Sequence, residues 1–145
     1  MPRKVSGFTL IEVLVVIGLL GLVASLGSAI GFDTLGRSAT REERDTLVSL
    51  LWSARARALA NVHESAQGVH IDWNTYVLFE GSSYNSSDPD NQVISRNPTV
   101  NISGGTDIIF AQLSGDVATG VGTLTMAGPT GEATVVMNGA GRIEW

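Results

Sequence analysis

Acid–base, nucleophilic and metal chemistry have few possible carriers in this sequence. The only histidines are His63 and His70, and without cysteine the chain has no thiol nucleophile, thiolate metal ligand or disulfide. There is no H-E-x-x-H, Walker or nucleophile-elbow motif, and Gly120-Val121-Gly122 lacks the third glycine of a dinucleotide fingerprint. We therefore expect a protein that is not an enzyme and that uses no cofactor and no metal.

The histidines and one acidic stretch have simple structural interpretations. His63, beside Glu64, is expected to be a solvated helix end, and His70 shares the polar face of a predicted strand with Asp72, where a cross-strand contact is expected. Asp88-Pro89-Asp90-Asn91 offers hard oxygen ligands of the kind that calcium prefers, but the twelve-residue spacing of an EF-hand is absent. We interpret this stretch as a polar loop.

One carboxylate, that of Glu12, stands out because of its surroundings. It is the only charged residue from Phe8 to Phe32, and the twenty residues from Val13 to Phe32 carry no charge. A helix of about twenty residues spans ~30 Å, the thickness of the bilayer hydrocarbon. An ionised carboxylate at full membrane depth costs about 3 kcal/mol, so such a group usually has a partner or a task.

This apolar segment has three interpretations, and two of them do not depend on resemblance to a family. It could be a cleaved secretory signal, since Gly27-Ser28-Ala29 places small residues ahead of a potential cut, or an ordinary single-span anchor. The apolar core of a secretory signal is usually shorter, about 7–15 residues, and neither interpretation accounts for Glu12 or for the residue order around Gly7. The basic pair Arg3-Lys4 favours a cytoplasmic N-terminus, with the rest of the chain across the membrane.

The third interpretation rests on a family resemblance. Arg3-Lys4-Val5-Ser6-Gly7, followed by Phe8-Thr9-Leu10-Ile11-Glu12 and an apolar run, resembles the class III signal of type IV prepilins and type II secretion pseudopilins. The resemblance implies that a prepilin peptidase cuts after Gly7 and that Phe8 becomes the N-methylated first residue. It also implies that Glu12, the fifth mature residue, meets the terminal amine of a neighbouring subunit during assembly. Such an opposite-charge pair would offset the cost of desolvating each group in an apolar core.

The same resemblance implies partners and a location. The partners are prepilin peptidase, other pilin or pseudopilin subunits and an inner-membrane assembly platform. The location is the inner (cytoplasmic) membrane, with a single pass and a periplasmic or extracellular C-terminal domain, followed by assembly into a pilus or pseudopilus. The expected organisation is a leader at residues 1–7, a transmembrane and filament-core helix at 8–32, and a globular pilin domain at 33–145.

The globular part is predicted to begin with an amphipathic helix over about 40–61. Thr40-Arg41-Glu42-Glu43 has the T-x-x-E spacing of a capping box, which predicts that a helix starts or restarts there after the interruption between Gly31 and Gly36. Apolar residues then recur at three- and four-residue steps. They are Leu47, Leu50, Leu51, Ala54, Ala58 and Leu59.

Alternating residues and glycine-rich turns predict a β-sheet over about 67–145. The expected strands are 69–73, 76–79, 92–95, 100–102, 108–110, 123–126, 133–137 and 142–145. The expected core includes Leu47, Leu51, Trp52, Val69, Ile71, Trp73, Phe110, Val135 and Ile143. The predicted fold class is therefore α+β, a pilin-like lollipop in which the C-terminal half of a long hydrophobic helix packs on an antiparallel β-sheet domain.

Among pilin-like proteins, the chain is similar to the GspH/FimT group of minor pilins and pseudopilins. The similarity lies in the helix Leu51–Ala60, the strand Gly68–Trp73, Ile108-Ile109-Phe110 leading to Gly115, and the closing segment Val135–Ile143. The missing cysteines exclude the disulfide-closed loop that is common in major pilins, which favours a minor subunit. The expected function is that of a structural subunit that assembles into a filament or primes or tips it.

The alternative is a minor pilin that binds DNA for uptake in natural transformation, since some members of the FimT group bind DNA through a basic C-terminal tail. Here the tail is Gly141-Arg142-Ile143-Glu144-Trp145, in which Arg142 alone can contact a phosphate. From Gly31 onward the chain has seven Lys and Arg against thirteen Asp and Glu, a net charge of −6. Because non-specific DNA affinity comes from cation–phosphate contacts, this charge argues against nucleic acid as a partner.

We predict that the mature chain begins with N-methylated Phe8, because the cut site precedes the apolar helix and requires the small Gly7. N-terminal sequencing and intact mass would test this prediction. A bulky residue in place of Gly7 should leave the precursor uncut in the membrane. A mature chain that begins at residue 30 would instead show that the segment is a secretory signal.

Overall fold

The structure, a computed structural model, describes residues 9–129 and 131–145, and of residues 26–38 it describes the backbone alone. The chain divides into two compact units, Met1–Leu35 and Gly36–Trp145. In chain order, the elements of the described part are α1 (Leu10–Leu59), a 3₁₀ turn (Val62–Glu64), β1 (Gln67–Ile71), β2 (Thr75–Glu80), β3 (Gln92–Ser95), β4 (Asn101–Ser103), β5 (Asp107–Phe110), β6 (Val117–Thr119), β7 (Gly122–Gly128), β8 (Gly131–Met137) and β9 (Ile143–Glu144).

The strands form two antiparallel sheets, which confirms the α+β fold class. The sequence predicted one sheet, whereas the structure has two. The first sheet has the order β3-β2-β1-β5-β6 and the second the order β4-β7-β8-β9. In the first, Val69 of β1 pairs with Leu78 on one side and Ile108 on the other. Strand β6 has no counterpart among the predicted strands because Val117 is its single buried residue, so no alternation marks it.

The core of the Gly36–Trp145 unit lies between α1 and both sheets. One face of α1 enters it at the three- and four-residue steps that the sequence predicts. The buried residues of that face are Leu47, Val48, Leu51, Ala54 and Ala58. They pack with buried side chains of the first sheet, including Tyr76 and Phe110, and of the second, including Met126 and Val135. The predicted packing of this helix on β structure is therefore confirmed.

Two tryptophans that the sequence assigns to the core lie at the surface. Trp73 is 70% exposed because β1 ends at Ile71 and the indole follows in the turn, where the Trp73 N–H donates to Asp72 Oδ1 at 2.7 Å. Trp52 is 44% exposed because it lies about 100° around the helix from the buried Leu51. The prediction for these two residues is wrong, since apolar character does not fix the phase of a residue on its element.

Helix α1 continues through Thr40, so the prediction that a helix starts there is also wrong. Thr40 and Glu43 are both buried, and the Thr40 hydroxyl lies so close to Gly128 that a Cβ there would be 2.0 Å from Thr40 Oγ1. Glu43 accepts hydrogen bonds from the Tyr76 hydroxyl at 2.9 Å and the Asn97 backbone N–H at 2.6 Å. Thr40 and Glu43, the ends of the T-x-x-E sequence, therefore contact the β-sheet part of the unit and do not cap a helix.

The hydrogen bond between Tyr76 and Glu43 joins α1 to β2 inside the unit. Burial raises the pKa of Tyr76, and the hydrogen bond and negative charge of Glu43 raise it further, against a smaller lowering by Arg96. The hydroxyl therefore remains a donor to the carboxylate. Arg96 lies 5.7 Å over the Tyr76 ring and donates to the carbonyls of Asp72, at 2.7 Å, and Val100. The Glu43 carboxylate and the Arg96 guanidinium thus connect the helix, β2 and the β3–β4 connection through hydrogen bonds and ring contacts.

His63 is exposed in the turn after α1, as expected of a solvated helix end, and it also contacts β2. Nδ1 of His63 lies 2.8 Å from Oε2 of Glu80, whose Oε1 accepts a hydrogen bond from Nη2 of Arg57 at 2.5 Å. Burial raises the pKa of Glu80, but hydrogen bonds from His63 and Arg57 and their charges outweigh it, so the pKa lies below its usual value. The end of β2 is thereby linked to the end of the helix and to the turn.

The other histidine makes the expected cross-strand contact. Nδ1 of His70 on β1 lies 2.7 Å from Oδ1 of Asp107, its register partner on β5, and its ring stacks on Tyr84 at 3.9 Å. Asp88–Asn91 lies in the loop between β2 and β3, where the Asp90 N–H donates to Asp88 Oδ1 at 3.0 Å. Over the part of the chain that the structure describes, no three His, Asp or Glu side chains are grouped as metal ligands.

We predict that Glu43→Ala lowers the free energy of unfolding by about 2–4 kcal/mol, because it leaves the Tyr76 hydroxyl and the Asn97 N–H without an acceptor. Urea unfolding of a Gly36–Trp145 fragment would measure this loss. We expect the fragment to fold alone, since the described core begins at Leu47. The matched control is Glu42→Ala, which removes an exposed carboxylate and should change stability by no more than about 0.5 kcal/mol. Equal effects would contradict the role of Glu43.

Candidate functional site

The first turn of α1 is organised by Thr9. Its carbonyl accepts the N–H groups of Glu12 at 3.1 Å and Val13 at 3.3 Å, and its hydroxyl oxygen lies 3.4 Å from the Glu12 nitrogen. This is the N-cap geometry expected of a T-x-x-E sequence. Thr9-Leu10-Ile11-Glu12 has the same T-x-x-E spacing as Thr40-Arg41-Glu42-Glu43, and the cap forms at Thr9 instead of at the predicted Thr40.

The segment that follows is apolar on every side. From Leu10 to Val23, every residue other than Glu12, Gly18 and Gly21 is Leu, Ile or Val. The exposed fractions of these side chains run from 48% for Val13 to 82% for Leu10. A helix that is hydrophobic all round requires an apolar environment on all sides. Burying each such side chain is worth about 1.5–3 kcal/mol, so the segment as a whole gains much by leaving water.

Glu12 is the single charged side chain of this segment. It is exposed in the first turn of the helix, where the helix dipole favours a negative charge, and it lies beside Val13, Val16 and Ile17 in a shallow groove. Burying its carboxylate costs about 3 kcal/mol, which is less than the gain from two or three neighbouring apolar side chains. Glu12 therefore does not prevent burial of the helix, but a buried Glu12 needs a cationic partner.

The remaining candidate residues are the predicted cut site and the arginine of the C-terminal tail. Gly7 and Phe8, the predicted cut site and new N-terminus, lie outside the described residues. Arg142 is exposed, and its Nε forms an ion pair with Oε1 of Glu144 at 2.8 Å. The cation of the C-terminal tail, Arg142, is thus paired with a carboxylate at the surface.

Comparison with protein families identifies the prokaryotic N-terminal methylation motif at residues 2–28. The N-terminal segment is that of a type IV pilin-like protein. Its motif implies processing by a peptidase and assembly with other pilin subunits, and Gly7, Phe8 and Glu12 all lie within it. No curated protein and no solved structure matches the chain.

The motif also indicates a membrane-anchored protein that is assembled into a pilus. Over residues 9–129 and 131–145, however, no helix combines the length and the apolar character that a membrane crossing requires.

We predict weak or no DNA binding by the Gly36–Trp145 fragment. Its acidic charge repels phosphates, and Arg142 is engaged by Glu144. A mobility-shift titration at about 50 and 150 mM salt is the test, because the loss of affinity between them reports the number of phosphates engaged. Micromolar binding that survives the higher salt and disappears in Arg142→Ala would favour the DNA-uptake alternative.

Proposed function

We propose that this protein is a minor pilin or pseudopilin, a non-catalytic structural subunit that assembles into a type IV pilus or type II secretion pseudopilus, or primes or tips one. The observation that carries the proposal is the Leu10–Val23 segment, apolar on every side, with one carboxylate at Glu12 behind a methylation motif. A cut after Gly7 would leave this segment on the mature chain. The segment could then serve first as a membrane anchor and later as part of a filament.

The position of Glu12 supports an assembly role for its charge. Glu12 lies four positions after Phe8 in the sequence, so the mature amine and the carboxylate would enter an apolar environment together. An ammonium from a neighbouring subunit would compensate the buried carboxylate, and the pair would set the axial register of the two subunits. Without that partner, the desolvation cost of Glu12 would oppose assembly.

The globular unit supports a minor subunit of the GspH/FimT group. It lacks cysteine, so no disulfide closes its C-terminal loop, and it combines an amphipathic helix with antiparallel sheets. We place the protein in the inner membrane before assembly, with one pass and the globular unit periplasmic or extracellular. Its partners would be prepilin peptidase, other subunits and the inner-membrane assembly platform.

We predict that Glu12→Ala leaves membrane retention unchanged or better, because it removes a charge from an apolar helix. Incorporation into filaments should fall several-fold, because the Phe8 amine of the neighbouring subunit loses its partner. Both quantities are measured in the full chain, one by membrane fractionation and the other by co-purification with sheared filaments or with partner subunits.

The control for this variant is Glu42→Ala, which removes an exposed carboxylate from the globular unit and should affect neither quantity. Normal assembly of the Glu12→Ala chain would show that Glu12 does not set the register. If the wild-type chain co-purified with no filament or partner subunit in its own host, the proposed function itself would be wrong.

A further inference from the structure

A cleft lies where three connections of the globular unit meet. The end of β1 and the β1–β2 turn form one wall, the β3–β4 connection and β4 form a second, and the β4–β5 turn forms a third. Its volume of about 340 Å³ is at the lower end of the range for small-molecule sites. Polar and aromatic side chains line it together with the buried Ile71 and Val100; they are Asp72, Trp73, Arg96, Asn101 and Thr106.

Hydrogen bonds between the three connections hold the walls of the cleft in place. Arg96 donates from Nη1 to the carbonyl of Asp72 at 2.7 Å and from Nη2 to that of Val100, so one guanidinium bridges two walls. The Ile71 N–H donates to the Thr106 carbonyl at 2.7 Å and joins the first wall to the third. The cleft is therefore formed by the fold itself, which lowers the conformational entropy that binding would cost.

The fold does not account for the tryptophan at the rim of this cleft. The Trp73 side chain is 70% exposed, and within residues 9–129 and 131–145 it contacts no other aromatic ring or cation and its indole N–H has no protein acceptor. The turn that contains it is closed by backbone, since the Asp72 N–H donates to the Thr75 carbonyl at 2.9 Å. The indole therefore presents a flat apolar face and one free donor beside the cleft.

The polar side chains beside Trp73 suit a ligand that both donates and accepts hydrogen bonds. Asn101 is exposed, and among the described residues its amide has no protein partner. Asp72 uses Oδ1 for the Trp73 backbone N–H, which leaves Oδ2 as an acceptor. Of the described residues that line the cleft, Asp72 and Arg96 alone are charged, and their signs are opposite. An uncharged ligand rich in hydroxyl groups matches this set, because each hydroxyl is both donor and acceptor.

We propose that this cleft binds a neutral saccharide, with one sugar ring stacked on Trp73. A pyranose ring has an apolar C–H face that packs on an indole, and its equatorial hydroxyls point outward in the plane of the ring. Those hydroxyls would bond to the Asn101 amide and the Asp72 carboxylate at the rim. The site lies in the globular unit and involves neither Glu12 nor the N-terminal segment, so it would give the subunit a contact with glycans in addition to its assembly role.

Nucleic acid is the other ligand class whose rings stack on tryptophan. Each nucleotide also adds a phosphate, so its binding depends on cations along the strand. Arg96 is the one cation among the described residues that line the cleft, and its guanidinium is engaged by two carbonyls and lies over the Tyr76 ring. Acidic residues outnumber basic ones in the Gly36–Trp145 unit. The charges therefore favour the neutral saccharide.

The proposal is tested by isothermal titration calorimetry of the purified full chain, in a detergent that has no sugar headgroup. The probes are N,N′,N″,N‴-tetraacetylchitotetraose, which represents cell-wall glycans, and cellotetraose and maltotetraose, which represent glucose polymers. We expect saturable binding of at least one probe. Preference for the first would indicate a cell-wall glycan and preference for a glucose oligomer a different polysaccharide, and either supports the saccharide site. Saturable binding of none of the three would overturn the proposal.

Two variants place the binding in the cleft. Trp73→Ala should weaken it about ten-fold or more, while the thermal midpoint stays unchanged because the indole is exposed. The matched control is Trp145→Ala, which removes a 58% exposed indole that does not line this cleft and should leave binding unchanged. Asn101→Ala should weaken binding several-fold, whereas Ser103→Ala, at an exposed position on the same strand, should not.

Three results would contradict the site. They are equal losses in Trp73→Ala and Trp145→Ala, unchanged binding in Trp73→Ala, and a single-stranded oligodeoxynucleotide that binds more tightly than every saccharide and requires Trp73. None of them bears on the proposed function, which co-purification of the wild-type chain with filaments or partner subunits decides separately.

Discussion

An α-helix is stable only where its surroundings match the distribution of its apolar residues, and α1 contains two distributions. From Leu10 to Val23 it is apolar on every side. From Leu47 to Ala58 it has one buried face and one outer face. The second pattern is satisfied within the chain, by two sheets. The first requires apolar surroundings that the described contacts of this chain do not supply, so a membrane or another protein must supply them.

Glu12 is the one charged residue in the apolar segment Leu10–Val23, and its carboxylate is costly to bury. Its carboxylate costs less to bury than the surrounding side chains gain, so it does not keep the helix in water. A cation in the right place lowers that cost, so the buried state is most stable where one is present. A purely aliphatic helix would be buried equally well at many axial positions, whereas a helix with one carboxylate favours those positions where a positive charge is within reach.

In the globular unit, the position of α1 along the sheets is set by polar contacts as well as by the core. Thr40 packs against Gly128, and Glu43 receives the Tyr76 hydroxyl and the Asn97 N–H. Aliphatic contacts tolerate small slips along the helix axis, but a buried hydroxyl and a part-buried N–H that share one carboxylate do not. The same principle operates at the other end, where Arg55 reaches the carbonyls of Gly115 and Ala140.

The sequence by itself determined the features that depend on neighbouring residues. The methylation motif can be recognised from neighbouring residues, which include Gly7 and Glu12. The α+β class follows from the spacing of apolar residues, which changes along the chain from the helical period to strict alternation. The cross-strand contact of His70 was also predictable, because alternation puts it on the polar face of β1.

The tertiary structure decided what depends on residues far apart in the chain. The same T-x-x-E spacing caps the helix at Thr9 and serves the sheets at Thr40, and nothing local distinguishes the two. Trp52 and Trp73 are as apolar as core residues, yet the phase of the helix and the end of β1 leave them outside. Likewise, the 85-residue separation of Arg55 from Ala140 carries no sequence signal. Local sequence patterns indicate which side chains are stabilised by burial or by a hydrogen-bond partner. Only the folded chain determines which residue each of them contacts.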